Sequence, residues 1–504
     1  MKGDGPLLVA IDVGTTGARA AAVDLKGTVV AEVRRPYPTD TPAPGWAEQD
    51  PLLWSERAVE ALARLARRIP RPERVLGIGL TGQCPTVAPF DRRWRPTAPG
   101  MLYKDNRAVV EAHEMRERIG VEAMHRRTGH TAEAFHIGPK VLWLRQHRPD
   151  AFARTVRFLQ PRDVVLRRLT GRVATDESHA AATLFFDLRG RRWAEDLFAA
   201  FDLDPSLFPE ALPPWETAAR LPARVAREVG LRPGLPVVVG GADSQCVAYG
   251  AGVTDPGPVS EMAGASSCLN SSVAEPLADV RVTHYSHVVP DRFTTELGVN
   301  TTGAALDWAV SRLGYSDHAA LAADAEKFRG RWRRQAFASD RDRREAAPLF
   351  LPYLGDGDRD DASVRAAFVG LSTRHDRAAL AYAVVEGVAL GVRATLMVLQ
   401  EAGSPLEELR AGGGGARTPL VGQLKADVLG RPVLHLDGDA AAIGTAMLAG
   451  AAAGIGDEAR QAISLAVDRA RRFEPDPWGT EVGAIRARWF DDVRGGDGIR
   501  MPGA

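Results

Sequence analysis

A carboxylate at the end of an apolar run, followed at once by a glycine turn with two hydroxyls, can hold phosphate and a divalent cation. In this chain Asp12 sits near the end of the run Leu7–Val13, and Gly14-Thr15-Thr16-Gly17 supplies the turn. Its backbone N–H groups and the hydroxyls of Thr15 and Thr16 form a concavity suited to phosphate oxygens, while Asp12 suits a magnesium ion held through its water shell. Arg19 adds a fixed positive charge nearby. The same string is equally a hairpin with a tight turn and a surface arginine, because short glycine motifs recur widely.

What lies downstream repeats the pattern. Pro236–Gly241 reads as a buried strand ending in glycines, closed by Asp243. Pro258–Asn270 reads as strand, turn (Gly264-Ala265-Ser266) and strand, much like the opening segment. A duplicated core follows, two related halves each presenting a hairpin turn to one shared cleft, with a boundary near Gly250 to Pro258. Gly412–Gly415 separates a strand from a helix over Pro419–Leu429, where glycines let a ligand approach the backbone and the helix N-terminus.

The elements that must position these groups follow from periodicity. Strands are expected over Leu7–Val13, Ala18–Leu25, Thr28–Pro36 and Val75–Thr81, with a helix over Leu52–Ile69. Strands followed by helices indicate an α/β layer architecture. Residues 109–240 read as mainly helical, broken by Pro and Gly. Helices are expected over Asn300–Leu313 and Arg377–Glu401, and Ala440–Gly456 reads as a tightly packed core helix. Arg329–Ala347 reads as a solvated, charged excursion. Gly355–Asp361 reads as an acidic loop. His284 and His287, three residues apart on one strand, would face opposite sides and make a poor metal pair.

Composition narrows the partners. With 504 residues the chain exceeds one ordinary core. Lys+Arg and Asp+Glu both number 64, giving a net charge of +0, which argues against nucleic-acid or membrane-surface binding driven by bulk charge. Cys84, Cys246 and Cys268 stand far apart, in no disulfide or zinc spacing, which points to a reducing, cytoplasmic setting.

Taken in order, these segments resemble the FGGY family of carbohydrate kinases, most closely its xylulokinase-like members. Besides the opening turn, the resemblance is carried by Pro44-Gly45-Trp46-Ala47-Glu48-Gln49-Asp50-Pro51, Thr81-Gly82-Gln83, Lys104-Asp105-Asn106-Arg107, Leu169-Thr170-Gly171 and Gly240-Gly241-Ala242-Asp243. In the second half it is carried by Gly264-Ala265-Ser266, Phe350-Leu351-Pro352-Tyr353, Val385-Glu386-Gly387-Val388, and Gly413 to Pro419 continuing to Pro432.

The resemblance implies an α/β fold of two actin-like (ribonuclease H-like) domains with a nucleotide cleft between them. Residues 1–252 would serve the sugar and phosphates, and residues 253–504 the adenosine. ATP and Mg²⁺ would be the cofactors, a small sugar or polyol the acceptor, and a second copy of the chain the partner in a homodimer. Position by position, it implies Asp243 as general base and Asp12 as the metal carboxylate. Thr15, Thr16, Arg19, Gly264, Ala265, Ser266, Gly303, Asp307, Gly414, Gly415 and Thr418 would surround the nucleotide, and Gln83, Cys84, Asp105, Arg107 and Ser244 the sugar.

The chain also departs from the family. Xylulokinases commonly show Gly-Gln-Met-His-Gly where this chain has Gly82-Gln83-Cys84-Pro85-Thr86, so an imidazole that would bond a sugar hydroxyl is lost. Loss of one such group shifts discrimination by orders of magnitude. Ala265 stands where a phosphate-binding Thr is usual, and Ile137 and Ala379 break smaller patterns. The readings carried forward are a kinase of a ketose such as D-xylulose, a kinase of a polyol such as glycerol or erythritol, and a non-catalytic sugar- or nucleotide-binding regulator of the same fold.

Overall fold

The computed structural model describes residues 5–355, 364–414 and 418–496. It divides into two compact units. The first comprises Met1–Thr254, Ser272–Thr295 and Gly438–Asp468, and the second Asp255–Ser271, Glu296–Asp437 and Arg469–Ala504. Where a single sequential boundary at 252/253 was expected, the chain passes between the units at 254/255, 271/272, 295/296, 437/438 and 468/469. The late return brings helices Ala440–Ala452 and Gly456–Asp468 to the first unit, against the opening sheet.

Both units use the same strand order. The first sheet runs Thr217–Arg220, Pro236–Val238, Val75–Gly82, Leu7–Val13, Gly17–Asp24, Val29–Pro36. In the second, Arg471–Phe473, Val433–His435, Leu406–Gly412, Gly257–Ala263, Ser267–Val273 and Phe293–Val299 follow in that order, with Thr283–Ser286 added beyond the last. In each, the first hairpin strand pairs antiparallel with its return strand and parallel with a strand arriving later. The α/β class and the duplication are both present.

Leu7–Val13 is buried on both faces, as a strand covered by helices on two sides must be. Its alternation divides the core. Leu7, Val9, Ile11 and Val13 pack with Trp54, Ala58 and Leu62 of helix Pro51–Arg68. Leu8 and Ala10 pack with Ala442, Ala446 and Ala449 of helix Ala440–Ala452. That second helix lies unusually close to its neighbours. A Cβ on Gly79 would stand 1.9 Å from Thr445 O, one on Gly250 1.9 Å from Ala440 O, and one on Gly444 2.0 Å from Cys246 O.

The second unit is centred on helix Arg377–Glu401. This helix is long and apolar enough to cross a membrane, but 89% of its apolar window is buried inside the protein. Ala379 lies fully inside, its N–H capped by Asp376. The solvated reading of residues 329–347 holds for most of the stretch, in which only Arg329, Trp332 and Ala347 are buried. Leu321, Ala325, Phe328 and Trp332 line the buried face of helix His318–Arg333, and Trp332 packs edge-on against Tyr382 at 5.4 Å. Arg329 is buried and paired with Asp427 at 2.7 Å. The apolar period of this helix begins before Arg329 and ends at Trp332. Helix Asp340–Glu345, beyond it, has no buried residues. Of the expected acidic loop, residues 356–361 lie outside the described residues.

Six histidines are buried in the first unit, His125, His130, His136, His179, His284 and His287. His130 faces His136 at 3.3 Å, and His125 lies edge-on to His284, with 5.5 Å between ring centroids. His284 Nε2 accepts the Leu277 N–H, and His287 Nε2 bonds Val253 O at 2.7 Å. Burial, reinforced by His125, pushes His284 down to about 3, and His130 lies well below the ordinary histidine value for the same kinds of reason.

Two outcomes follow from this packing. Gly444→Ala should lower stability by about 2–3 kcal/mol, since the new Cβ meets backbone that cannot move aside, read as a drop in the urea midpoint. For the histidines, the folded pKa is depressed, so the unfolded chain binds protons first as pH falls. Their stabilisation should be complete above about pH 6.5 and shrink from there toward pH 3. Urea midpoints measured across that range, with and without His284→Gln, check this. The variant's acid dependence should be shallower.

Candidate active site

Parallel pairing sets the carboxyl ends of neighbouring strands along one edge of a sheet, and ligand sites of open α/β sheets form there. In the first unit Asp12, Thr81 and Gly241 stand in one row of the register. Asp12 and Asp243 therefore leave the same edge of the sheet, from strands separated by Val75–Gly82.

The turn after Asp12 is held from below. Gly14 N–H donates to Gly17 O at 3.2 Å, and the Tyr37 hydroxyl donates to Gly14 O. Gln49 Nε2 donates to Thr15 O at 2.7 Å, while Gln49 Oε1 accepts from Trp54 Nε1 and Gln83 Nε2. A Cβ on Gly17 would stand 2.5 Å from Arg35 O, so that position excludes other residues. With its carbonyls engaged, the turn presents its outer side to a ligand. Thr15 is half-buried and Thr16 exposed.

Asp12 is the unsatisfied group. Its Oδ1 is buried without a hydrogen-bond partner. Burial raises its pKa to about 6, opposed by Arg19 and reinforced by Asp439. A buried carboxylate oxygen with no protein donor fits a hydrated divalent cation, whose ligands are hard oxygens. Arg19 lies opposite Asp12 across the hairpin, but its guanidinium is paired with Asp439 and with Glu32. Asp439 also caps helix Ala440–Ala452 through Ala442 N–H at 2.8 Å.

Asp243 is the first residue of helix Asp243–Gly250 and is half-buried. Its Oδ1 accepts the Ser244 N–H at 2.9 Å, and Ser244 Oγ accepts from Gln245 Nε2 at 3.2 Å. Gln83 is buried, its amide bonded to Gly14 O, Gln49 and Thr86. Cys84 is half-buried. Lys140 is fully buried and ties the Gln83–Thr86 stretch to the Asp105 stretch, donating to Pro85 O at 3.2 Å and Leu102 O at 2.6 Å. Burial lowers it to about 7, against the pull of Asp105 and Cys84.

Asp105 and Arg107 are engaged with each other. Asp105 accepts the Ala47 N–H at 2.7 Å and the Arg107 guanidinium at 2.6 and 2.8 Å. Arg107 also pairs with Glu48 at 2.8 Å and stacks 3.6 Å over the Trp46 ring. It lines a cavity of about 620 Å³ with Trp46, Trp143 and His147, to which neither Asp12 nor Asp243 contributes.

In the second unit Gly264, Ala265 and Ser266 form an exposed turn. Its carbonyls accept the first N–H groups of helix Gly303–Arg312, with Gly303 N–H on Gly264 O at 3.1 Å and Thr302 and Ala304 N–H on Ala265 O at 3.0 Å. A Cβ on Gly303 would stand 2.2 Å from Gly264 O, which explains that glycine. Asp307, one turn on, is exposed and pairs with His318 at 2.9 Å. Met262 and Gly412 share a register row, so the turn and Gly413-Gly414 leave one sheet edge. Gly415 lies outside the described residues. Thr418 precedes helix Pro419–Leu429 and lines a cavity of about 850 Å³ with His318, Glu326, Arg329, Gln423 and Phe473.

A duplicated sheet, each copy opening on a strand, glycine turn and strand, defines a two-domain actin-like phosphotransferase fold. Family models agree in detail, the N-terminal domain of the FGGY family of carbohydrate kinases matching residues 7–250 and its C-terminal domain residues 260–453. The chain belongs to the FGGY family of carbohydrate kinases. It is thus a phosphotransferase acting on an alcohol group of a small sugar, with ATP as donor. Xylulose kinase of Klebsiella pneumoniae is 30% identical, with 88% of this chain and 89% of that protein covered. The crystal structure of xylulose kinase from Rhodospirillum rubrum superposes with a TM-score of 0.87 at 31% identity, covering 97% of this chain and 98% of that one. Glycerol kinase of Bordetella parapertussis is 28% identical, with 99% and 98% covered.

Sequence reasoning missed several supporting residues. Gln49 was within reach, since it lies in the quoted Pro44–Pro51 stretch. Nothing local pointed to Asp439, whose bond to Arg19 spans 420 positions. Tyr37 and Ser178 gave no signal beyond ordinary polarity.

The raised pKa of Asp12 carries a consequence for stability. A carboxyl whose folded pKa lies above its unfolded value stabilises fully below the unfolded value and loses that contribution as pH rises through the folded one. In magnesium-free buffer Asp12→Asn should therefore be near-neutral at pH 4 and stabilising by about 1–2 kcal/mol at pH 8. Thermal denaturation of both proteins at the two pH values measures it.

Proposed function

We propose that this carbohydrate kinase phosphorylates a hydroxyl of a small ketose of the D-xylulose type, with Asp243 as general base and Asp12 as the carboxylate that holds Mg²⁺. The observation that carries the reading is the shared sheet edge of Asp12 and Asp243, with an unsatisfied Asp12 oxygen beside a glycine turn. Asp243 takes the proton of the acceptor hydroxyl as its oxygen attacks the γ-phosphorus, and ADP leaves with the bridging oxygen. Thr15, Thr16 and the turn amides orient the phosphates and spread the charge of a loose transition state. The metal, when bound, neutralises phosphate charge.

Gly264, Ala265 and Ser266 form the second phosphate turn in this reading. Gly303 and Asp307 flank the nucleotide, and Gly414, Gly415 and Thr418 lie by the adenosine, for which the 850 Å³ cavity beside Thr418 supplies space of the right order. Arg19 acts through its field rather than by a free hydrogen bond, given its two carboxylate partners. In this reading the first unit serves the sugar and carries the first phosphate turn, and the second unit carries the second phosphate turn and serves the adenosine. The enzyme works in the cytoplasm, where its three thiols stay reduced.

A second acceptor class, polyols such as glycerol or erythritol, is favoured by one observation. Pro85 offers no side-chain donor where an imidazole is usual, and Lys140 holds its carbonyl.

Acceptor-dependent ADP release with MgATP across ketoses and polyols tests both. One ketose should stimulate release well above background, and Asp243→Asn should remove about 10²–10⁴-fold of kcat while ATP still binds. Stimulation by a polyol alone selects the second class. If ATP and a sugar bind but no acceptor stimulates release, the chain is a non-catalytic regulator.

A further inference from the structure

The segment that delivers Asp243 is irregular. Between Pro236–Val238 and Gly241–Ala242 the strand is interrupted at Gly240, which has φ of +80° and approaches Leu80 so closely that a Cβ would lie 1.7 Å from its carbonyl oxygen. Such a backbone depends on its surroundings for direction. Several of its polar groups are held. Val239 N–H donates to Glu216 O and Gly240 N–H to Pro214 O, each at 2.9 Å. Thr81 Oγ1 donates to Gly241 O at 2.8 Å.

Two further bonds come from one buried charged cluster. Arg162 donates to Val239 O at 2.6 Å, and Ala242 N–H donates to Ser178 Oγ at 2.9 Å. Arg162 lies between Asp163 at 2.6 Å and Asp176 at 3.3 Å. Asp176 Oδ2 accepts the Ser178 N–H at 2.7 Å and also the Ser178 hydroxyl proton, while its Oδ1 meets His179 Nδ1 at 2.5 Å. Arg162, Asp163, Asp176, Ser178 and His179 are each at most 1% exposed. A serine hydroxyl has one proton. With that proton given to Asp176, a lone pair of Ser178 Oγ is left to receive the Ala242 N–H, so the direction of this bond is set by the carboxylate.

We propose that Ser178, oriented by Asp176, is a positioning residue for Asp243: it fixes the Gly241–Ala242 peptide plane, one residue ahead of the base, and so aims the Asp243 carboxylate at the acceptor hydroxyl. The inference rests on the reading of Asp243 as the base. Nothing in the cluster touches the reacting atoms. Its effect is on alignment, where misplacement by about 1 Å costs on the order of 10²-fold.

The test is a kinetic double-mutant cycle on the full chain with its best acceptor. Ser178→Ala should lower kcat about 10–100-fold, with little change in acceptor KM or in ATP affinity, and Ser178→Thr, which keeps the hydroxyl, should recover most of that loss. Where Ser178→Ala does not fold, Ser178→Cys keeps the volume with a weak acceptor in place of a strong one. In an Asp243→Asn background the same Ser178 substitution should change the residual rate less than twofold, because there is no base left to aim. A loss of the same factor in both backgrounds, or an unchanged kcat in the single variant, overturns the proposal. If Asp243→Asn alone leaves kcat intact, it is the base reading that fails instead, so the two failures are told apart.

Discussion

Parallel strand pairing is the constraint on which the rest of this molecule depends. A slanted, evenly spaced ladder fixes which residues end level with one another, and here it sets Asp12, Thr81 and Gly241 in one row. Neither the apolar run around Asp12 nor the short strand before Asp243 specifies this row alone. It arises because Val75–Gly82 is hydrogen-bonded to both. The second unit repeats the device, with Met262 beside Gly412 placing its own turn beside Gly413 and Gly414.

The two sheets are covered in different ways. In the first unit, helix Ala440–Ala452 approaches through glycines, at Gly79 beneath Thr445 and at Gly250 and Gly444 against each other's helix. Close backbone approach brings many dispersion contacts but leaves no slack for a methyl group. The second unit relies on volume instead, with Trp332, Phe328 and Tyr382 filling the space between helices His318–Arg333 and Arg377–Glu401.

Buried charge follows a consistent rule. Lys425 meets both Glu261 oxygens at 2.5 and 2.6 Å inside the second unit, and Arg486, fully buried, bonds Glu386 and the carbonyls of Arg344, Ala347 and Pro348. Arg162 with Asp163 and Asp176 is the counterpart in the first unit. An unpaired buried charge costs several kcal/mol, so these groups come with partners. Asp12 differs: one of its carboxylate oxygens is buried without a protein donor, and burial raises its pKa.

The sequence by itself determined the elements and the family. The run Leu7–Val13, the turn Gly14–Gly17, and helices Arg377–Glu401 and Pro419–Leu429 could be read because their apolar periods and turn residues act locally. The repeat of strand, turn and strand at Gly257–Val273 was equally local, and it revealed the duplication. Tertiary structure alone decided which distant groups meet. Asp439 pairs with Arg19 across 420 positions, and Ser178 receives Ala242 N–H across 64, because sheet register and helix packing bring them together without a local pattern. The same holds for Arg329 and Trp332, two buried positions in a mostly exposed, charged stretch, which meet Asp427 and Tyr382. Local propensity is written residue by residue, whereas partner choice is a property of the closed fold.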